Sequence, residues 1–282
     1  MGTNRKAVTR TASRATTTLL VVAAAVVIAA VATRQPGSET GNAAGRSRGR
    51  ATPSSPSPST TSARTSTAAA RPRPLRLTTL VLTVDGLDHY DVSSKGDDLR
   101  FVAPKTNAGR NLRDIAWDPD VAPSRDQEAC ATWTFETDHE VQQGLTLRTR
   151  HDGNRWRTIT VTKNVVMDVY SNINVHTWDS ARATAIQNVG AAHIVSLVRK
   201  DMDVLPLPWR VCARAIGDHV DIKAWPTARP EPSWTDPRST GTIPLPAGWD
   251  IEGHPGWYAG HLPPGGAAAA TAISAGSLDA GS

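Results

Sequence analysis

The sequence predicts an all-β protein, an antiparallel two-sheet sandwich or jelly roll, preceded by one N-terminal apolar helix and a disordered linker. Three observations carry this reading. Beyond residue 76, short segments of alternating apolar and polar residues recur, punctuated by Gly, Pro, Asn and Asp. No stretch there shows a long helical stripe; Ala181–Val189 comes nearest and is short. Composition also changes sharply near residue 75. Residues 1–75 hold 11 basic side chains and one acid, Glu39, whereas residues 76–282 hold 20 basic and 25 acidic ones. The basicity belongs to the N-terminal third, and the remainder is mildly acidic, which argues against a nucleic-acid partner.

The first element is an export signal spanning residues 1–34. Arg5, Lys6, Arg10 and Arg14 precede an uncharged run over 15–33, of which Leu19–Ala32 is apolar throughout. A positive segment, an apolar segment and Ala30-Val31-Ala32 as a small-residue cleavage site make a secretory signal. The same 19 uncharged residues also just suffice to span a bilayer, with the basic flank holding the N-terminus inside. Both readings place the bulk of the chain outside the cytoplasm, anchored to the membrane through the N-terminal segment, or secreted if cleaved after Ala32. Residues 35–75 are almost all Pro, Ser, Thr, Ala, Gly and Arg, with one Leu. Such a tract buries too little apolar surface to offset its ordering entropy, so it is expected to be a disordered spacer. As an exported Ser/Thr/Pro tract it is either an O-glycosylated stalk or a plain tether.

Residues 76–282 are expected to form the sandwich. Gly144–Arg150, a turn at 151–154 and Arg155–Thr162 read as a hairpin, with Leu145 and Leu147 on one face and Ile159 and Val161 answering them. Trp209–Ile216, a turn at Gly217-Asp218 and His219–Trp225 read as a second. There Val211, Ala213 and Ala215 face the same way as Val220, Ile222 and Ala224. Ala129–Phe135 is a further strand with Ala131, Trp133 and Phe135 inward. The late Pro- and Trp-rich stretches Gly241–Asp250 and Gly253–Gly266 are expected to be loop or edge and to wrap the sandwich ends, because dense Pro forbids central-strand pairing.

The order of Gly144-Leu-Thr-Leu-Arg148, the hairpin Trp209–Trp225, Arg229-Pro-Glu-Pro-Ser-Trp234 and Gly256-Trp-Tyr-Ala-Gly260 resembles bacterial concanavalin A-like (laminin-G, lectin/glucanase) sandwiches. In those a K-x-W strand is often followed by an E-P-x-W loop. More narrowly the chain is similar to uncharacterised exported actinobacterial proteins. The resemblance is loose over 76–282 and better over 130–262, and its motifs mark structure rather than activity.

Two constellations stand out. Glu136-Thr-Asp138-His-Glu140 has the E-x-D-x-E spacing of laminarinase-like glycoside hydrolases of that fold. On a strand, alternation would put all three carboxylates on one face, as a retaining mechanism needs. Thr137 and His139 stand where that family has apolar residues, and the alternative is a polar strand end entering a turn. Asn174, His176 and Trp178 share one strand face by the same alternation, and Trp257 and Tyr258 with His261 form a comparable group. Amide and imidazole groups beside aromatic rings suit sugar recognition; the alternative is a polar outer face ending in a buried Trp.

Cys130 and Cys212 are expected to form a disulfide, since a free thiol suits an exported domain poorly. No His/Cys spacing suggests zinc. Asp85, Asp88, Asp91, Asp118, Asp120 and Asp126 offer loop oxygens suited to calcium, without any EF-hand order. No other cofactor is expected. The first expectation is thus a noncatalytic carbohydrate- or cell-wall-binding module, lectin-like in character. A structural or protein-interaction domain without a small ligand, and a hydrolase acting through Glu136, Asp138 and Glu140, are the alternatives.

Overall fold

The computed structural model describes residues 75–83, 89–105, 111–166, 170–199 and 204–278. The apolar run 15–33 and the linker 35–75, but for Leu75, lie outside the described residues. Within them, fourteen strands form: β1 (Thr78–Val81), β2 (Asp91–Lys95), β3 (Asp98–Val102), β4 (Arg113–Trp117), β5 (Gln127–Glu136), β6 (Gln142–Asp152), β7 (Arg155–Val166) and β8 (Tyr170–Asp179). They continue with β9 (Ile186–His193), β10 (Trp209–Ile216), β11 (His219–Pro226), β12 (Thr240–Pro244), β13 (His254–Gly260) and β14 (Ala267–Ser277). One 3-10 turn, Val195–Leu197, is the only helical element among the described residues. The near-helical candidate Ala181–Val189 instead becomes a turn leading into β9.

All pairings are antiparallel, in two seven-stranded sheets. Sheet A runs β1-β4-β13-β6-β7-β8-β9 and sheet B runs β12-β11-β10-β5-β14-β3-β2. The expected all-β sandwich is therefore what forms. Both anticipated hairpins are present, β6–β7 and β10–β11, the second with Ile216 paired to His219 around Gly217-Asp218. Leu145, Leu147, Ile159, Val161, Ile173 and Val175 of sheet A meet Ala129, Ala131, Trp133, Val211, Ala213, Val220 and Ile222 of sheet B in one core.

Two expectations are corrected. Phe135 does not point inward but is 46% exposed. Its strand bulges against β14, where Ala270 faces Trp133 but Ala269 faces Phe135, so one extra residue flips the alternation. Gly253–Gly266 is not only a wrapping loop, because His254–Gly260 is the third strand of sheet A. Its Pro255 sits where the register with β6 shifts, the one place in a strand interior that tolerates a missing N–H. The Ala-rich tail 267–277, weak in β propensity, is a central strand between β5 and β3.

Cys130 and Cys212 sit directly opposite on β5 and β10 and are joined in a disulfide, with Cα atoms 4.1 Å apart. On the outer face of sheet B it packs with Trp225 and Trp234. The Lys223 ammonium lies 4.5 Å from the Trp234 ring centre and bonds Glu231 at 2.6 Å, while Arg214 covers the same ring at 4.0 Å. The K-x-W strand and the E-P-x-W loop are thus one packing unit around the disulfide.

Candidate functional site

Strand alternation divides sheet A into an inner face and an outer one. Registers align the outer residues in rows across the strands. One row is Trp117, Gly256, Thr146, Thr160 and His176; the next is Ile115, Tyr258, Gly144, Thr162 and Asn174. A third holds Arg113, Gly260, Gln142, Asn164 and Asn172. Glycines on β6 and β13 make room for the ring of Tyr258. A Cβ on Gly144 would stand 3.1 Å from its Cδ1, and one on Gly260 would collide with its hydroxyl.

The face is concave. Arg113 on β4 and Trp178 on β8 are separated by three strands, so a flat sheet would hold them about 19 Å apart. The Arg113 guanidinium instead lies 5.8 Å from the Trp178 ring centre. The sheet curls until side chains from both flanks meet above its middle strands. Beneath them lies a hydroxyl floor, Thr146, Thr160 and Thr162, all buried. Thr160 Oγ1 accepts from the Trp178 indole at 2.9 Å, whereas the hydroxyls of Thr146 and Thr162 have no partner. Around the floor the Tyr258 hydroxyl donates to Gln142 Oε1 at 3.1 Å, and Arg113 donates to Asn111 Oδ1 at 2.6 Å and to His261 Nε2 at 2.9 Å. Burial, with the Arg113 charge adding, pushes the His176 imidazole down to about 4, so it is neutral at pH 7. Burial raises the Tyr258 phenol, keeping it a donor.

Asn174, His176, Trp178 and Tyr258 therefore share one concave face. Trp257 does not join them: as the neighbour of Tyr258 it faces the opposite way, between the sheets, where its indole donates to Cys130 O at 3.2 Å. Trp178 and Tyr258 are 2% and 3% exposed, so they are walls of the face and not open stacking platforms. Sequence reasoning missed Arg113, Gln142 and Asn164. The period-two run Thr158, Thr160, Thr162, Asn164 was the available signal for the floor, but curvature, which recruits Arg113, leaves no such trace.

The E-x-D-x-E group does not lie on one strand face. β5 ends at Glu136, and Asp138 turns back to accept the Glu140 backbone N–H at 3.0 Å. Glu136 is engaged by Lys163, 2% exposed, and by Gln143 at 3.2 Å, closing one end of the core. Among the described residues no three His, Cys, Asp or Glu side chains converge on a metal position. Of the loop acids, Asp118 accepts the Asp120 N–H and Asp126 the Gly217 N–H, while Asp85 and Asp88 lie outside the described residues.

Asp114, on the inner side of β4, accepts the Tyr90 N–H at 2.7 Å and leaves Oδ1 unpartnered. Burial raises its carboxyl to about 6 against that hydrogen bond. A raised folded value means its contribution is present below pH 3.8 and lost as pH rises through 6. The lowered His176 acts oppositely: its contribution is present above pH 6.5 and lost as pH falls through 4. The two nearly cancel between pH 4 and 6. Asp114→Asn, which keeps an acceptor for Tyr90, is thus expected to show stability rising by up to about 3 kcal/mol from pH 4 to 6.5. His176→Gln should show stability falling by up to about 3 kcal/mol from pH 4 to 6. Urea midpoints across pH 4–7 check both; parallel profiles in the two variants would contradict the assignment.

No protein-family model matches the chain, and no curated protein matches it. Among solved structures it is similar to a carbohydrate-binding module of Bacillus subtilis (11% identity, TM-score 0.44, covering 71% of this chain and 95% of that one). It is also similar to a β-porphyranase of the gut bacterium Bacteroides plebeius (8%, 0.36, 66% and 79%) and an alginate lyase of Klebsiella pneumoniae (11%, 0.34, 67% and 84%). Likeness at this level is one of fold, and function has to be read from the residues.

Proposed function

We propose that the chain is an exported, membrane-tethered module whose concave face of sheet A binds a glycan without catalysis. The observation that carries this is the composition of that face. Half-buried amide and imidazole groups (Asn164, Asn174, Gln142, His176) ring a floor holding two buried hydroxyls without partners, at Thr146 and Thr162. The partly exposed amide and imidazole groups of this face match a polyhydroxylated ligand, and a neutral imidazole both donates and accepts. Recognition here works through hydrogen bonds more than through open ring stacking. The basic, apolar and small-residue order of residues 1–34 supports export, and the Pro/Ser/Thr tract after it supports display at a distance from the membrane.

Asn174→Ala and His176→Ala are expected each to weaken polysaccharide affinity tenfold or more in native affinity gels, while Phe135→Ala on the opposite sheet leaves it unchanged. Loss of binding in all three, or in none, would refute this location. Seven of the nine Trp are buried, which favours the second reading, a structural or protein-interaction domain. That reading prevails if no cell-wall or storage polysaccharide binds.

A further inference from the structure

Alternation puts Asp114 and Asp179 away from the concave face of sheet A, and none of the described outward positions on β1, β4, β13, β6, β7, β8 or β9 is Asp or Glu. The face nonetheless holds Arg113, in a region (76–282) with five more acids than bases. Arg113 is half-buried and held by partners that carry no negative charge: Asn111 through its side chain and, at 3.3 Å, its carbonyl, His261 at 2.9 Å, and the Trp178 ring at 5.8 Å. No carboxylate among the described residues pairs with it, although nine other Arg and Lys side chains among those residues have acid partners within 4.0 Å. A cation held partly out of water with its charge uncompensated is unfavourable alone and becomes favourable when an anion arrives.

We infer that the glycan taken by this face is acidic, and that Arg113 reads its carboxylate. The inference rests on the glycan reading above and adds the charge class. Neutral hydroxyls of the chain would meet Asn174, His176 and Gln142, while a uronate carboxylate would approach the guanidinium at the β4 flank. Arginine suits that role because its charge persists at every physiological pH and its planar fork matches a carboxylate.

The test compares the full chain's binding to polygalacturonate with its binding to the carboxyl-reduced form of the same polymer. At low salt the acidic polymer should bind at least tenfold more tightly, and 0.5 M NaCl should shrink that ratio. Arg113→Gln should bring the ratio close to one, and Arg113→Lys, which keeps the charge, should restore part of it. Equal affinity for the two polymers, or an Arg113→Gln variant that keeps the preference, overturns the charge assignment while the glycan reading stands. Binding to neither polymer overturns this inference. The glycan reading itself falls only if neutral polysaccharides also fail to bind.

Discussion

Reduction of the Cys130–Cys212 bond, or the paired Cys130→Ser and Cys212→Ser replacement, is expected to destabilise the sandwich by about 4.5 kcal/mol through loop entropy alone. The bond closes a loop of 82 residues, from the centre of sheet B through most of sheet A and back. That loop includes β6, β7, β8 and β9, so the cross-link ties the concave face to the opposite sheet in the unfolded chain as well as the folded one. Urea denaturation with and without reductant measures it. A change below 1 kcal/mol would show that the reduced chain already keeps those sheets together when unfolded. The native spectrum should persist in reductant at low urea, because Trp225 and Trp234 still cover the site.

Arg148→Met is expected to cost about 3–5 kcal/mol, the range for removing one member of a buried charged network. Arg148 is 0% exposed and stands where the β6–β7 register shifts, with φ at 52°. Its guanidinium donates to the carbonyls of Arg125 at 2.9 Å and Trp249 at 2.7 Å and lies 3.3 Å from Asp250. Its own N–H donates to Gln127 Oε1 at 2.8 Å. One side chain thus fastens the loop before β5 to the loop before β13. Methionine fills the volume but leaves both carbonyls unmet. Arg148→Lys should recover only part of the loss, since an ammonium cannot serve both loops with the same geometry. A lowered urea midpoint with unchanged slope is the expected signature. A loss under 1 kcal/mol would mean that the loops are held independently.

What could be read from the sequence was what alternation encodes. Both hairpins, the inward Leu, Ile and Val positions, and the sharing of one face by Asn174, His176 and Trp178 follow from a period of two, and the structure has each of them. The Cys pairing followed from export chemistry and not from pattern. Errors arose where alternation is interrupted: the bulge that turns Phe135 outward and the register shift that lets Pro255 enter β13; the Ala run of β14, whose pairing comes from its neighbours, carries no alternation to read. The E-x-D-x-E spacing takes the form of its alternative, a polar strand end entering a turn, since β5 stops at its first member. Burial of Trp178 is the alternative that the polar outer face offered, and Tyr258 is buried with it. It depends on a curvature that brings β4 over β8, which is a property of the whole sheet.

Hydrogen–deuterium exchange on the full chain, with and without a saturating polysaccharide from a neutral and acidic panel, locates glycan binding on one sheet or the other. Slowed exchange is expected in β6, β7 and β8, around Gln142, Asn164 and Asn174, with β10 and β11 of the opposite sheet unchanged. Protection confined to sheet B, or no protection by any polymer in the panel, would contradict it.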